Sequence, residues 1–298
     1  MDSLEGINRM EAKAMREAYY FERQEHNIVL CTLCPHYCTI PEDSYGRCRV
    51  RLNKDGTLYT LNYGEISAFG IDPIEKKPLR HFYPGKQIVS IGSFGCNLEC
   101  DFCQNWSIAQ EKPKTIQYTA DDLLDEIKGA ANNIGIAYTY NEPTIFYEFM
   151  LDTAKKVHEA GYKNVMVSNG FINKEPLEAL LPYIDAFNID LKGFNDAFYH
   201  GICSGERLPV METIERIVGV KHIEITLLLI DGLNTNPLEL EALFRWLGKL
   251  DSKIPLHISR YFPAYKIDQP PSQIETLYEA KALADQYLEH VYLGNMPL

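Results

Sequence analysis

Three cysteines crowd one short stretch. Cys96, Cys100 and Cys103 lie in Gly95-Cys96-Asn97-Leu98-Glu99-Cys100-Asp101-Phe102-Cys103-Gln104-Asn105-Trp106, just after an apolar run. Three thiolates on one loop can ligate three corners of a cubane iron–sulfur cluster and leave the fourth iron without a protein ligand. The competing readings are a zinc loop short of one ligand and three buried core cysteines, and neither accounts for this spacing at the end of a strand. A second group, Cys31, Cys34, Cys38 and Cys48, offers four soft ligands within eighteen residues. Four thiolates suit tetrahedral zinc, mononuclear iron or an auxiliary iron–sulfur cluster. Zinc is the favoured expectation, because short four-cysteine knuckles usually staple segments that lack a core. Eight cysteines grouped this way, with Cys203 apart, read as metal sites rather than as a disulfide framework.

From about Gln87 onward, short apolar runs alternate with amphipathic stretches, the rhythm of repeated βα units. Strands are expected at Ile88–Ile91, Gly135–Tyr140, Asn164–Ser168, Ala186–Leu191, Ile223–Ile230 and Leu256–Ser259, with a terminal one at Val291–Leu293. Helices are expected over Asp121–Asn132, Pro143–Ala160, Glu175–Leu181, Val210–Val218, Pro237–Leu250 and Gln273–Leu288. Thr119 ahead of Asp121 and Asp122 reads as a cap with first-turn acids, while Pro143 and Gly161 bracket the next helix. Six such units in order imply an α/β fold, a parallel barrel or partial barrel with its chemistry at the strands' C-terminal ends. Residues 1–86 lack the rhythm. A helix is expected over Glu11–Arg23, then the four cysteines, then a hairpin turning at Asp55-Gly56. The expected organisation is a small metal-binding subdomain over 1–86 and a barrel over 87–298.

Cys-x3-Cys-x-aromatic-Cys, with Phe102 as the aromatic residue, resembles the signature of the radical S-adenosylmethionine (SAM) superfamily. The resemblance implies a partial (β/α)6 TIM-like barrel and a [4Fe-4S] cluster on Cys96, Cys100 and Cys103. It further implies that SAM binds the open iron and is cleaved reductively to methionine and a 5′-deoxyadenosyl radical, which abstracts hydrogen from a substrate. Cofactor contacts are then expected at the cluster loop, where Phe102 lies, and at strand ends. Glu142 stands in Tyr140-Asn141-Glu142-Pro143, where the family usually has Gly-Gly-Glu-Pro. It would accept a charge-assisted bond from the methionyl ammonium, or cap the helix that Pro143 opens. Ser168 and Asn169 precede Gly170 as in the Asp-Thr-Asn-Gly of glycyl-radical-enzyme activases, with Val167 replacing the aspartate. They are expected to touch SAM, a turn being the alternative. Asp190-Leu191-Lys192 resembles the activases' Asp-x-Lys, and strand alternation puts both charges on one face. Lys192 would pair with the SAM carboxylate, and Asp190 would bind ribose or support the lysine. His257 would reach the nucleoside or sit as a core histidine.

Further runs extend the likeness over nearly the whole chain. Cys31-Thr32-Leu33-Cys34-Pro35-His36-Tyr37-Cys38, Gly46-Arg47-Cys48, Lys77 to Gly85 and His257 to Pro263 resemble the radical SAM member of the AmmeMemoRadiSam system, a pyruvate formate-lyase activating enzyme homologue. Many of that family continue past a Gly-Asn like Gly294-Asn295 into another cysteine pair. Here the sequence ends at Leu298, so the N-terminal site is expected to be complete with four ligands or to borrow from elsewhere.

The net charge of -12 repels phosphate backbones and anionic lipids, so neither nucleic acid nor a membrane is an expected partner. The N-terminus has no apolar signal region, and stretches such as Leu227–Ile230 are too short to span a bilayer, so a cytoplasmic location is expected. The expected partners are a protein bearing the radical target and an electron donor such as flavodoxin or ferredoxin. Radical modification of a small molecule or of another peptide residue is the competing enzymatic reading, with Cys203 as a substrate-side thiol or a buried hydrophobe. An iron–sulfur electron carrier without catalysis is a reading of another class, and it leaves Glu142, Asp190 and Lys192 without a task.

Overall fold

The computed structural model describes residues 15–297. Its centre is an eight-stranded sheet. In chain order the strands are β1 (Ala68–Pro73), β2 (Gln87–Gly92), β3 (Asn133–Tyr138), β4 (Lys163–Ser168), β5 (Ala186–Asp190), β6 (His222–Leu229), β7 (Leu256–Arg260) and β8 (Val291–Gly294). They lie side by side in that order. Pairings from β2 through β8 are parallel, and β1 joins β2 antiparallel, Ala68 facing Gly92 and Pro73 facing Gln87. Near-continuous apolar strands such as β2 and β5 need cover on both faces. Helices α1 (Ala120–Gly129), α2 (Tyr147–Glu159), α3 (Lys174–Leu180), α4 (Arg207–Ile217), α5 (Pro237–Leu250) and α6 (Ile274–Ala284) provide it on one side.

The expected helix punctuation is present. Thr119 and Asp122 form a reciprocal capping box at α1, and Gly161 takes a left-handed φ of 81° after α2. Pro143 opens a single 3-10 turn, Pro143–Phe146, before α2 begins.

Two expectations change in the N-terminal part. The expected helix Glu11–Arg23 is replaced, from residue 15 on, by two short strands, Arg16–Glu17 and Phe21–Arg23; residues 11–14 lie outside the described ones. Each pairs antiparallel, Arg16–Glu17 with Thr57–Thr60 and Phe21–Arg23 with Val29–Cys31, and ladder partners override a weak helical pattern. The hairpin forms as expected, with Asp55 and Gly56 both at positive φ between Arg51–Lys54 and Thr57–Thr60. The barrel sheet also reaches back across residue 86, because β1 is its edge strand. One apolar core runs from Val29, Leu33 and Leu58 through Leu98 and Phe171 into the strands and helices.

The segment after β1 closes the sheet at the end where the parallel strands begin. Buried Glu224, on β6, accepts from the backbone N–H groups of Arg80 (3.0 Å) and His81 (2.7 Å), and Asn188 donates to the Pro78 carbonyl at 2.9 Å. The function-bearing end is thereby left as the accessible one.

Candidate active site

A cavity of about 380 Å³ opens at the C-terminal ends of the parallel strands. That is within the size range of small-molecule sites. Its lining brings together Cys96, Cys100, Cys103 and Phe102 from the loop after β2, Glu142 from after β3, Ser168 and Asn169 from β4, and Asp190 and Lys192 from β5. All of the strand-end residues singled out in the sequence converge here except His257.

The cysteine loop is held from three sides. Asn141 accepts from the Ser93 backbone N–H at 2.9 Å and donates to the Gly95 carbonyl at 3.0 Å. Glu99 and Asp101 donate backbone N–H groups to the carbonyls of Cys203 and Ile202, each at 3.0 Å. Asn97 donates to the Phe171 carbonyl at 2.7 Å, and Asn169 reaches both Asn97 Oδ1 (2.9 Å) and Cys96 Sγ (3.7 Å). Burial raises the Cys96 thiol well above its ordinary value, and the nearby Glu142 charge adds to this. Burial, then Cys100, pushes Cys103 up to about 11. Cys100 is raised by a hydrogen bond with Cys203 and then by burial. Thiolates in this setting require bound positive charge, which iron supplies. The residues fit the cluster.

Glu142 is 3% exposed and accepts three bonds of 2.8 Å. Oε1 takes the Thr144 N–H and the Ser168 hydroxyl, and Oε2 takes the Asn169 N–H. Burial still raises its pKa, with those donors working against the shift. A carboxylate has about four lone-pair sites, so one on Oε2 remains for a ligand cation. The helix-cap and ligand roles therefore coexist. Lys192 Nζ lies 2.8 Å from Asp190 Oδ2 and 6.0 Å from the centre of the Phe102 ring. Burial alone would lower its pKa, but Asp190 and Cys100 hold it above the ordinary value. It stays cationic beside the cysteines, a fit for an anionic ligand group.

His257 is elsewhere. It is 5% exposed, its Nε2 sits 2.6 Å from Glu224 Oε2, and its ring stacks on Tyr292. The expectation that it reaches a nucleoside is corrected: on β7 it sits two residues short of the cavity, where Ser259, on the same face, is a lining residue. Cys203 is fully buried behind Cys100, a packing and loop-holding residue rather than a substrate-side thiol.

Further residues line the cavity. Tyr140 takes a left-handed φ of 67°, and a Cβ on Gly92 would come within 2.9 Å of the Tyr140 Cβ. The glycine on the neighbouring strand thus makes room for a bulky residue where a smaller one was expected. Tyr140 also donates to Asp72 (3.0 Å), which receives Lys77 Nζ at 2.8 Å. Strand alternation could have pointed to Thr226 and Ser259, which lie one strand step beyond Glu224 and His257 on β6 and β7.

The N-terminal cysteines form a separate group. Cys31, Cys34 and Cys48 are buried and Cys38 is half-buried, and the Cys31 N–H donates to the Cys38 carbonyl at 2.9 Å. Among the described residues these four thiols are free cysteines, available as ligands to a second metal.

Comparison with known proteins gives a consistent family. Residues 90–247 match the sequence family described as the radical SAM superfamily. An uncharacterised protein of Methanocaldococcus jannaschii is 44% identical over 291 residues, 95% of this chain and 86% of its own. The 4-hydroxyphenylacetate decarboxylase activating enzyme of Clostridium scatologenes is 24% identical over 106 residues, 32% of this chain and 34% of its own. A radical SAM methyltransferase of Sphaerobacter thermophilus has a similar fold, with a TM-score of 0.55 and 17% identity over 71% of this chain and 67% of its own.

Proposed function

The chain belongs to the radical SAM superfamily, and on that premise we propose that the cavity binds SAM against a [4Fe-4S] cluster on Cys96, Cys100 and Cys103. The observation that carries this is the convergence of three thiols, one buried carboxylate and one half-buried ammonium in a single cavity at the strand ends. When bound, the cluster supplies one electron that splits SAM into methionine and a hydrogen-abstracting 5′-deoxyadenosyl radical. The protein's part is to place the two ends of the methionyl group. Glu142 Oε2 offers its remaining lone pair to the ammonium, and Lys192 offers its charge to the carboxylate. Asp190 holds Lys192 in position or takes a ribose hydroxyl. Asn169, bonded to Asn97 and close to Cys96, fixes the cluster loop against β4.

The proposed reaction class is hydrogen abstraction from a partner protein, as in an activating enzyme. The partial likeness to the 4-hydroxyphenylacetate decarboxylase activating enzyme supports this. So does an exposed aromatic pair beside the cluster loop, Trp106 stacked on Tyr265 at 5.6 Å, which suits a peptide surface. A low-potential donor of the flavodoxin or ferredoxin kind would supply the electron.

The test is anaerobic. Reconstituted protein with SAM and dithionite should yield 5′-deoxyadenosine and methionine, and deuterium from a labelled partner protein should appear in the nucleoside. The variant with Cys96, Cys100 and Cys103 all changed to Ala should do neither. Cleavage surviving in that variant would overturn the assignment.

A further inference from the structure

The cavity makes no use of the four N-terminal cysteines. Cys31, Cys34 and Cys48 are buried and Cys38 is half-buried. Cys31 and Cys34 pack in the main apolar core with Cys38 against it, and Cys48 packs with Val50, Phe94 and Ile145. The four thiols are a good set of soft metal ligands.

A second observation is independent of the cysteines. Arg51 is 1% exposed and forks onto Glu148 with Nη1 and Nη2 at 2.8 and 2.9 Å. Its Nε is buried and has no acceptor among the described residues. Orphaned buried donors are rare in folded proteins and call for an unplaced partner. Cys31 and Cys48 lie within the electrostatic reach of this guanidinium. A buried donor with no acceptor among the described residues thus stands near two buried thiols.

Cys31, Cys34 and Cys38 fall on one short stretch, as Cys96, Cys100 and Cys103 do, and Cys48 supplies a fourth thiol. We propose that Cys31, Cys34, Cys38 and Cys48 hold a second [4Fe-4S] cluster, and that Arg51 is the buried cation that donates to it. Each iron has a thiolate, so no iron is open and the site does not bind SAM. Its chemistry is one-electron transfer. Held there, the cluster would take one electron from a low-potential donor protein and return to its oxidised state by passing that electron to the cluster proposed on Cys96, Cys100 and Cys103, with no atoms moved.

The position fits that task. Gly95, next to Cys96, has a φ of 85°, and a Cβ there would lie 2.8 Å from the Cys48 carbonyl. His36, inside the N-terminal cysteine loop, places Nε2 2.6 Å from the Asn97 carbonyl. The two cysteine loops are packed against each other.

The test uses the full chain, reconstituted anaerobically with iron and sulfide. Wild type should carry about eight irons and eight sulfides, four for each cubane. The variant lacking Cys96, Cys100 and Cys103 should keep about four of each, with a cubane Mössbauer spectrum that SAM does not change. Changing Cys31 and Cys48 to Ser should leave the SAM-responsive cluster, so failure of this inference is distinguishable from failure of the proposed function. Replacing Arg51 and Glu148 together by Met, which leaves neither partner orphaned, should lower the second cluster's reduction potential, and Arg51→Lys should restore part of it. Stoichiometric zinc in place of iron, or an iron-free three-cysteine variant that is folded by circular dichroism, would overturn the inference.

Discussion

Replacing Glu142 by Gln changes one atom and tests the centre of the site. The carboxylate already receives the Thr144 N–H, the Asn169 N–H and the Ser168 hydroxyl, each at 2.8 Å. A glutamine amide must turn its NH2 toward one of these donors. Turned toward Oε2's place, it faces the Asn169 N–H; turned toward Oε1's, it faces Thr144. Either way one buried backbone donor is orphaned, at about 1–3 kcal/mol. The thermal midpoint should therefore fall by a few degrees in a protein of this size. The ligand effect is separate. Loss of a charged hydrogen bond to the methionyl ammonium is worth roughly 1.5–3 kcal/mol. That corresponds to about a tenfold to hundredfold weaker Kd for SAM. Anaerobic titration at matched iron content reads the affinity, and a melting curve reads the stability. A lowered melting point with unchanged SAM affinity would make Glu142 a helix cap alone and refute the reasoning.

Lys192→Met should weaken SAM binding by about tenfold or more through the lost charged bond, with iron content intact; equal affinity by titration would remove it from the site. Glu148→Ala leaves Arg51 as an uncompensated buried charge, and chemical denaturation should show a loss of about 3–5 kcal/mol. Glu224 is held down at about 2: burial opposes this, but His222, His257 and two backbone N–H groups outweigh it. A depressed carboxylate stabilises the fold above its unfolded pKa of about 4.3, and that contribution is lost as pH falls toward the folded value. The gap in melting temperature between wild type and Glu224→Gln should therefore narrow as pH drops from about 5 toward 2. A gap that is constant or widening over that window would contradict the assignment.

The barrel strands and their helices were legible because apolar runs, caps and Gly or Pro punctuation agreed at each boundary, as at Thr119, Pro143 and Gly161. The edge strand β1 was not legible, because its pattern is broken by Gly70, Asp72 and Pro73 while Phe69 and Ile71 face outward. The segment over 11–23 misled because its few apolar residues fit a helix, whereas distant ladders decide its conformation. Cys96, Cys100, Cys103, Glu142, Asp190 and Lys192 could be placed from motif and strand-end position alone. His257 could not, since alternation fixes the face of a strand but not the depth along it, and its partner Glu224 lies on another strand. Tyr140 and Asn141 were visible as departures from a glycine pair, yet their compensations, Gly92 and the Asn141 clamp, depend on contacts between neighbouring strand ends.

The two outer strands, β1 and β8, do not pair with each other. Just beyond β1, the Arg80 guanidinium lies 4.8 Å from the centre of the Tyr292 ring, and His81 Nε2 is 2.7 Å from the Tyr292 hydroxyl on β8. A closed barrel has its bore fixed by strand number and stagger. An arc whose ends are tied by a few side chains at one rim has no such constraint. Its bore is not fixed by strand number and stagger alone, and the contacts that hold the two ends together at that rim become part of what sets it.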